Sequence, residues 1–85
     1  MSIANLSHLP VAYGTFVGNG TTAVVVAAPE IKITSVVLFS VNTVAGTPAT
    51  TAPFISAITA GTGFSVKAGT AGDTSTYNYV VYNLQ

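Results

Sequence analysis

Hydrophobic and polar positions alternate through most of the chain, in short stretches cut by Gly, Pro and Asn. Residues 33–41, ITSVVLFSV, are the most strand-like stretch, dense in β-branched side chains. With period two, Ile33, Ser35, Val37, Phe39 and Val41 share one face, and Thr34, Val36, Leu38 and Ser40 the other. A strand with one wet face would carry charge or amide on that face. This one does not, so it is expected to be covered on both sides around residues 36–39, either inside a small sandwich or against a second copy of the chain.

The same pattern places further strands at residues 21–28, 54–60, 64–68 and 75–84. Residues 64–68 are the clearest one-sided strand, with Phe64 and Val66 pointing one way and Ser65 and Lys67 the other. In residues 54–60, Phe54, Ser56 and Ile58 are expected on one side, Ile55, Ala57 and Thr59 on the other. The last strand alternates Tyr77, Tyr79 and Val81 with Asn78, Val80 and Tyr82, so both faces are bulky. Asn19-Gly20, Gly61-Thr62-Gly63 and residues 69–73 read as turns, because Gly and Asn tolerate positive φ. Residues 42–53, with one Gly and two Pro, read as an irregular loop. Residues 1–20 hold no lasting period and read as an irregular N-terminal arm with one short strand within residues 9–16, closing a sandwich edge or lying on a neighbour. The expected fold is therefore all-β: a small antiparallel β-sandwich or jelly roll of about six short strands, with the arm at 1–20 and the sandwich at 21–85. An OB-like barrel is the alternative, but the binding strands of such a barrel carry cations among their aromatics and these do not.

Composition sharpens this picture. The chain has 85 residues, 49% hydrophobic but only 5% charged, with two basic and two acidic residues and no Cys. Ordinary globular proteins are about 25% charged, and a chain this short buries only about 60–65% of its unfolded surface. With no disulfide to help and little charge to keep copies apart, much of the surface is expected to be covered by identical or larger partners. Lys32 and Lys67 cannot supply the cationic stripe that nucleic acid or an acidic membrane requires, so neither partner is expected. The uncharged stretch 33–66 is broken by Asn42, Gly46, Pro48, Pro53, Gly61 and Gly63, which argues against a transmembrane helix.

Catalytic chemistry finds few residues. Glu30 and Asp73 sit in separate turns with no third carboxylate to orient them, and each reads as a turn or surface charge. The single histidine, His8, has no acid or nucleophile near it in sequence. Gly14 to Gly20 lacks the Lys-Ser/Thr of a phosphate loop, and one His with two carboxylates cannot close a metal shell in one subunit. No catalytic residue, metal or cofactor is expected, and the chain is read as not an enzyme.

Four pieces taken in order resemble a known group: Ile33-Thr34-Ser35, the stretch 42–48 ending Gly-Thr-Pro, the stretch 58–64 (ITAGTGF), and the stretch 73–79 (DTSTYNY). Over roughly residues 21–83 they are similar to a small β-domain of tailed-bacteriophage structural proteins. The resemblance implies a trimeric jelly-roll-like module of fibres, spikes or capsid decorations, with Gly61, Gly63, Phe64, Asp73, Thr74 and Asn78 as fold and trimer determinants. With only a short arm before the module, a free-standing capsid decoration, or cement, protein on the virion surface is the expected role. Its partner would be the major capsid protein, met by an arm whose apolar residues are Leu6, Leu9, Val11, Tyr13 and Phe16. The expected trimer interface is Val36, Leu38, Tyr77, Tyr79 and Tyr82. The alternative is a tail or head-fibre adhesin that binds host carbohydrate through residues 43–51 and surface tyrosines, since tyrosines offer an apolar body with a polar tip.

Overall fold

The structure is a computed structural model and describes residues 9–47 and 52–83. Among these there is no helix; six strands follow one another as β1 (Ala12–Val17), β2 (Val24–Ala27), β3 (Val36–Thr43), β4 (Phe54–Thr59), β5 (Gly63–Lys67) and β6 (Thr76–Tyr82). They form two antiparallel sheets of three strands, ordered β1-β6-β3 and β2-β5-β4. The expected all-β sandwich is thus observed. Ala12–Val17, the short strand read into the N-terminal arm, is an edge of the first sheet, paired along its whole length with β6.

Alternation decides what lies between the sheets. From the first sheet come Phe16, Tyr77, Tyr79 and Val81, all buried, with Val37 and Phe39 half-buried beside them; from the second come Val26, Phe64 and Val66. The centre is a set of interlocked rings. Phe16 stacks on Tyr77 at 5.5 Å and meets Phe39 edge-on at 5.7 Å, while Phe64 reaches across from the second sheet to meet Tyr79 edge-on at 5.5 Å. Offset and edge-to-face arrangements of this kind align ring edges with ring faces and add to the gain from burying apolar area.

Two bulges correct the simple alternation. In β4 the register shifts between Ile55 and Ala57, so Ile55 pairs with Val66 and Ile58 with Phe64. Both isoleucines therefore pack on the core although they are three residues apart, and the expected division of Phe54, Ser56 and Ile58 from Ile55, Ala57 and Thr59 does not hold. An extra residue in a strand reverses every later side chain. In β3 the register shifts between Val41 and Thr43. Ile33, expected to begin this strand, instead lies in the turn before it and is 75% exposed.

One end of the sandwich is closed around Asp73. Expected as a surface or turn charge, Asp73 is wholly buried. Its carboxylate accepts the Ser75 N–H at 3.0 Å and the Tyr77 hydroxyl at 2.5 Å, and its carbonyl accepts the Gly20 N–H at 3.0 Å. The Ser75 hydroxyl is bonded to Ala45, and Thr47 donates to the Gly72 carbonyl at 3.0 Å, so the loops before β2, after β3 and before β6 are tied together. The Asn19-Gly20 turn is present, with Gly20 at φ 58, but it carries the chain from one sheet to the other rather than closing a hairpin. The opposite end is held by Asn83, which accepts the Ser35 hydroxyl and donates to the Glu30 carbonyl at 2.9 Å.

Candidate functional site

The outer face of the β1-β6-β3 sheet is built from residues that the core does not use. Cross-strand register aligns them in rows. Tyr13, Val80 and Leu38 form one row, and Thr15, Asn78 and Ser40 the next. Tyr82 and Val36 extend the apolar side; Thr76 and Thr43 extend the polar side. None of the three strands contains an acidic or basic residue.

The polar side is a continuous chain of hydrogen bonds. The Thr43 hydroxyl donates to Asn42 Oδ1 at 2.7 Å, Asn42 Nδ2 to Asn78 Oδ1 at 3.0 Å, and Asn78 Nδ2 to Ser40 Oγ at 3.0 Å. The bulge after Val41 is what brings Asn42 beside Asn78, since it interrupts the pairing between Val41 and Thr43. Each amide has a second N–H and further lone pairs beyond those bonds, and the Ser40 hydroxyl keeps its own proton to donate. These bonds lie in exposed surroundings. A row of fixed amides and hydroxyls, each able to donate and accept, is matched to a ligand of the same kind. Tyr13, 74% exposed, stands on the same face one pleat from Thr15, about 7 Å along the strand, and presents a ring for the apolar side of such a ligand.

The residues expected at sites fall in different places. Phe16, expected to face a capsid, is buried in the core, while Leu9 and Tyr13 are exposed, Val11 is half-buried, and Leu6, like His8, lies outside the described residues. Of the expected trimer interface, Tyr77 and Tyr79 are core residues; Val36 and Leu38 are exposed and Tyr82 is half-buried, all three on the outer face. The loop assigned to an adhesin starts with Thr43 on the polar chain; residues 48–51 of it lie outside the described residues. The chain Ser40–Asn78–Asn42–Thr43 escaped the sequence reading altogether. Alternation places Asn78 and Ser40 outward within their own strands, but only the register between β3 and β6 makes them neighbours.

Among the described residues no group of three His, Cys, Asp or Glu could hold a metal ion, and no helix is long and apolar enough to cross a membrane. The surroundings of Tyr77 alter its acidity: burial first, then the hydrogen bond to Asp73 and the charge of that carboxylate, push it up to about 12.

A family model described as K1 capsule-specific polysaccharide lyase, C-terminal domain, matches residues 11–82, a span that takes in all six strands. Neither a curated protein nor a solved structure matches the chain. The family match overturns two expectations. A capsid decoration role gives way to the tailspike and tail-fibre side of the phage resemblance, and the reading of the chain as not an enzyme is contradicted by a family named for a lyase. The first was drawn from the short arm that precedes the module, the second from the few catalytic side chains of the chain. The chain belongs to the family of the C-terminal domain of K1 capsule-specific polysaccharide lyase, a domain family tied to tailed-bacteriophage tailspikes and tail fibres.

Proposed function

We propose that this domain binds capsular polysaccharide on the outer face of its β1-β6-β3 sheet, as part of a polysaccharide-degrading tailspike or adhesin of the virion. The observation that carries this reading is the Thr43–Asn42–Asn78–Ser40 chain, set beside the exposed Tyr13 on a face without ionic groups. Sugar hydroxyls both donate and accept, as do the amides and hydroxyls of this chain, and a tyrosine ring covers the C–H side of a pyranose. Pre-fixed side chains lose little rotamer freedom on binding. For a lyase the retained polymer is substrate. Weak contacts repeated along one polymer keep the next cleavable bond near the protein, by effective concentration rather than by a single tight site.

The experiment is affinity electrophoresis of the 85-residue chain through gels containing acidic capsular polysaccharide. The wild type is retarded; Asn78→Ala and Tyr13→Ala each weaken retardation about tenfold, the loss of one or two hydrogen bonds or one ring contact. Equal thermal midpoints for the variants show that the fold is kept. Retardation unchanged in both variants defeats the assignment of this face.

The apolar side of the same face favours self-association, and we propose that the chain works as a homo-oligomer, a trimer by the phage resemblance. Val36 and Leu38 lie exposed at the β3 edge, away from Tyr13 on β1, and Ile33 is exposed just upstream. A partner copy seated there would leave the Thr15–Asn78–Ser40 row open to polysaccharide.

A further inference from the structure

Resting on the proposed polysaccharide-binding role, we propose that the outer face of the β1-β6-β3 sheet reads only the uncharged hydroxyl edges of the polymer and leaves its carboxylates to water. Elimination by a lyase runs through a carbon beside a carboxyl group, so the polymer such an enzyme takes is acidic. The usual partners of a carboxylate are guanidinium and ammonium groups, which bond it with charge assistance. The chain has no arginine. Lys67 is on β5 of the β2-β5-β4 sheet, paired there with Phe54, and its strand turns Phe64 and Val66 to the core, so its side chain leaves on the far side of the sandwich. Lys32 lies in the turn between β2 and β3, where its own N–H donates to the Ser35 hydroxyl at 2.8 Å. It precedes the Val36 end of β3, the end away from Asn42 and Thr43.

Drawing a carboxylate onto this face would strip its water without supplying an opposite charge, which is unfavourable. Hydroxyls suffer no such loss, because Ser40, Asn42, Thr43 and Asn78 replace each water they displace with a donor or acceptor of the same type. The polymer therefore lies with hydroxyl edges on the amide chain and acidic groups turned outward. Binding then has no long-range electrostatic part and is insensitive to ionic strength.

The test compares acidic capsular polysaccharide with the same polymer after chemical reduction of its carboxyl groups to alcohols, at about 0.02 M and about 0.5 M NaCl, a range over which exposed charge pairs become screened. Dissociation constants for the two polymers are expected to agree within about twofold at both salt concentrations, with Asn42→Ala weakening both alike. A loss of tenfold or more on carboxyl reduction, or a comparable fall with salt that Lys32→Gln or Lys67→Gln removes, overturns the proposal and assigns recognition to the lysines. Absence of binding to either polymer refutes the polysaccharide-binding role itself, and the present inference with it.

Discussion

The Tyr77 hydroxyl donates to the buried carboxylate of Asp73 at 2.5 Å, four residues back along the chain, and joins the core to the loops that close one end of the sandwich. The tyrosine serves both sides of that junction. Its ring stacks on Phe16 inside the core, while its oxygen lies at the polar closure formed by Asp73, Ser75 and Gly20.

A pH dependence follows from this pair. Folded Tyr77 is held neutral up to about 12, against an ordinary value of 10.0. Its pKa is raised on folding, so its contribution is fully present below pH 10 and disappears as pH rises through the folded value. Urea unfolding between about pH 9 and 12 should show wild-type stability falling in that window. Tyr77→Phe should start lower, by about 1–3 kcal/mol for the donor removed from a buried carboxylate, and lack the tyrosine part of the alkaline slope. Parallel curves for the two proteins would show that this hydroxyl is not what titrates.

The glycines of the β4–β5 hairpin separate two kinds of constraint. A Cβ on Gly63 would meet the Val26 carbonyl oxygen, a backbone atom, at 2.1 Å, whereas a Cβ on Gly61 meets nothing within 4 Å. Gly61 is needed for its φ of 77 alone. Gly63→Ala must force β2 from β5 and should cost about 3 kcal/mol or more, a large part of the margin of so short a chain. Gly61→Ala should cost about 1–2 kcal/mol, the left-handed penalty of an L residue, with Gly61→Asn milder. Chemical denaturation gives the order directly; a Gly63→Ala protein as stable as Gly61→Ala would mean that the two strands separate without loss.

Much of this architecture was legible in the sequence, because it rests on local alternation. Phe64 and Val66 against Ser65 and Lys67 is a one-sided strand in both readings, and Tyr77, Tyr79 and Val81 do share the inward face of β6. The failures share one cause: they concern relations between strands. A bulge leaves no mark in composition, so Ile55 and Ile58 were set on opposite faces. Asp73 was read as a surface charge because its burial, and its carbonyl's bond to the Gly20 N–H, depend on how distant loops meet. The Asn42–Asn78–Ser40 chain is of the same kind, joining residues up to 38 positions apart. An aromatic-rich strand drew attention to Tyr77 and Tyr79, which the core consumes, and away from the amides on the same strand's other face.

The two halves of the outer face should respond differently to the same charge. Leu38 is 55% exposed in the single chain, so a carboxylate there disturbs little of the core; if another copy covers it, the same carboxylate is buried without a partner, which destabilises the contact strongly. Thr15 lies one row away, on the polar side, and is expected to remain wet. Leu38→Asp should therefore shift sedimentation from an oligomer to single chains, with an unchanged β-sheet spectrum, at concentrations where Thr15→Asp still sediments as the oligomer. For polysaccharide the order reverses, since Thr15→Asp puts a negative charge into the row proposed to hold hydroxyls and repels an acidic polymer. Should Leu38→Asp sediment like wild type, the apolar half is open surface; should Thr15→Asp be the variant that dissociates, the assignment of the two halves is reversed.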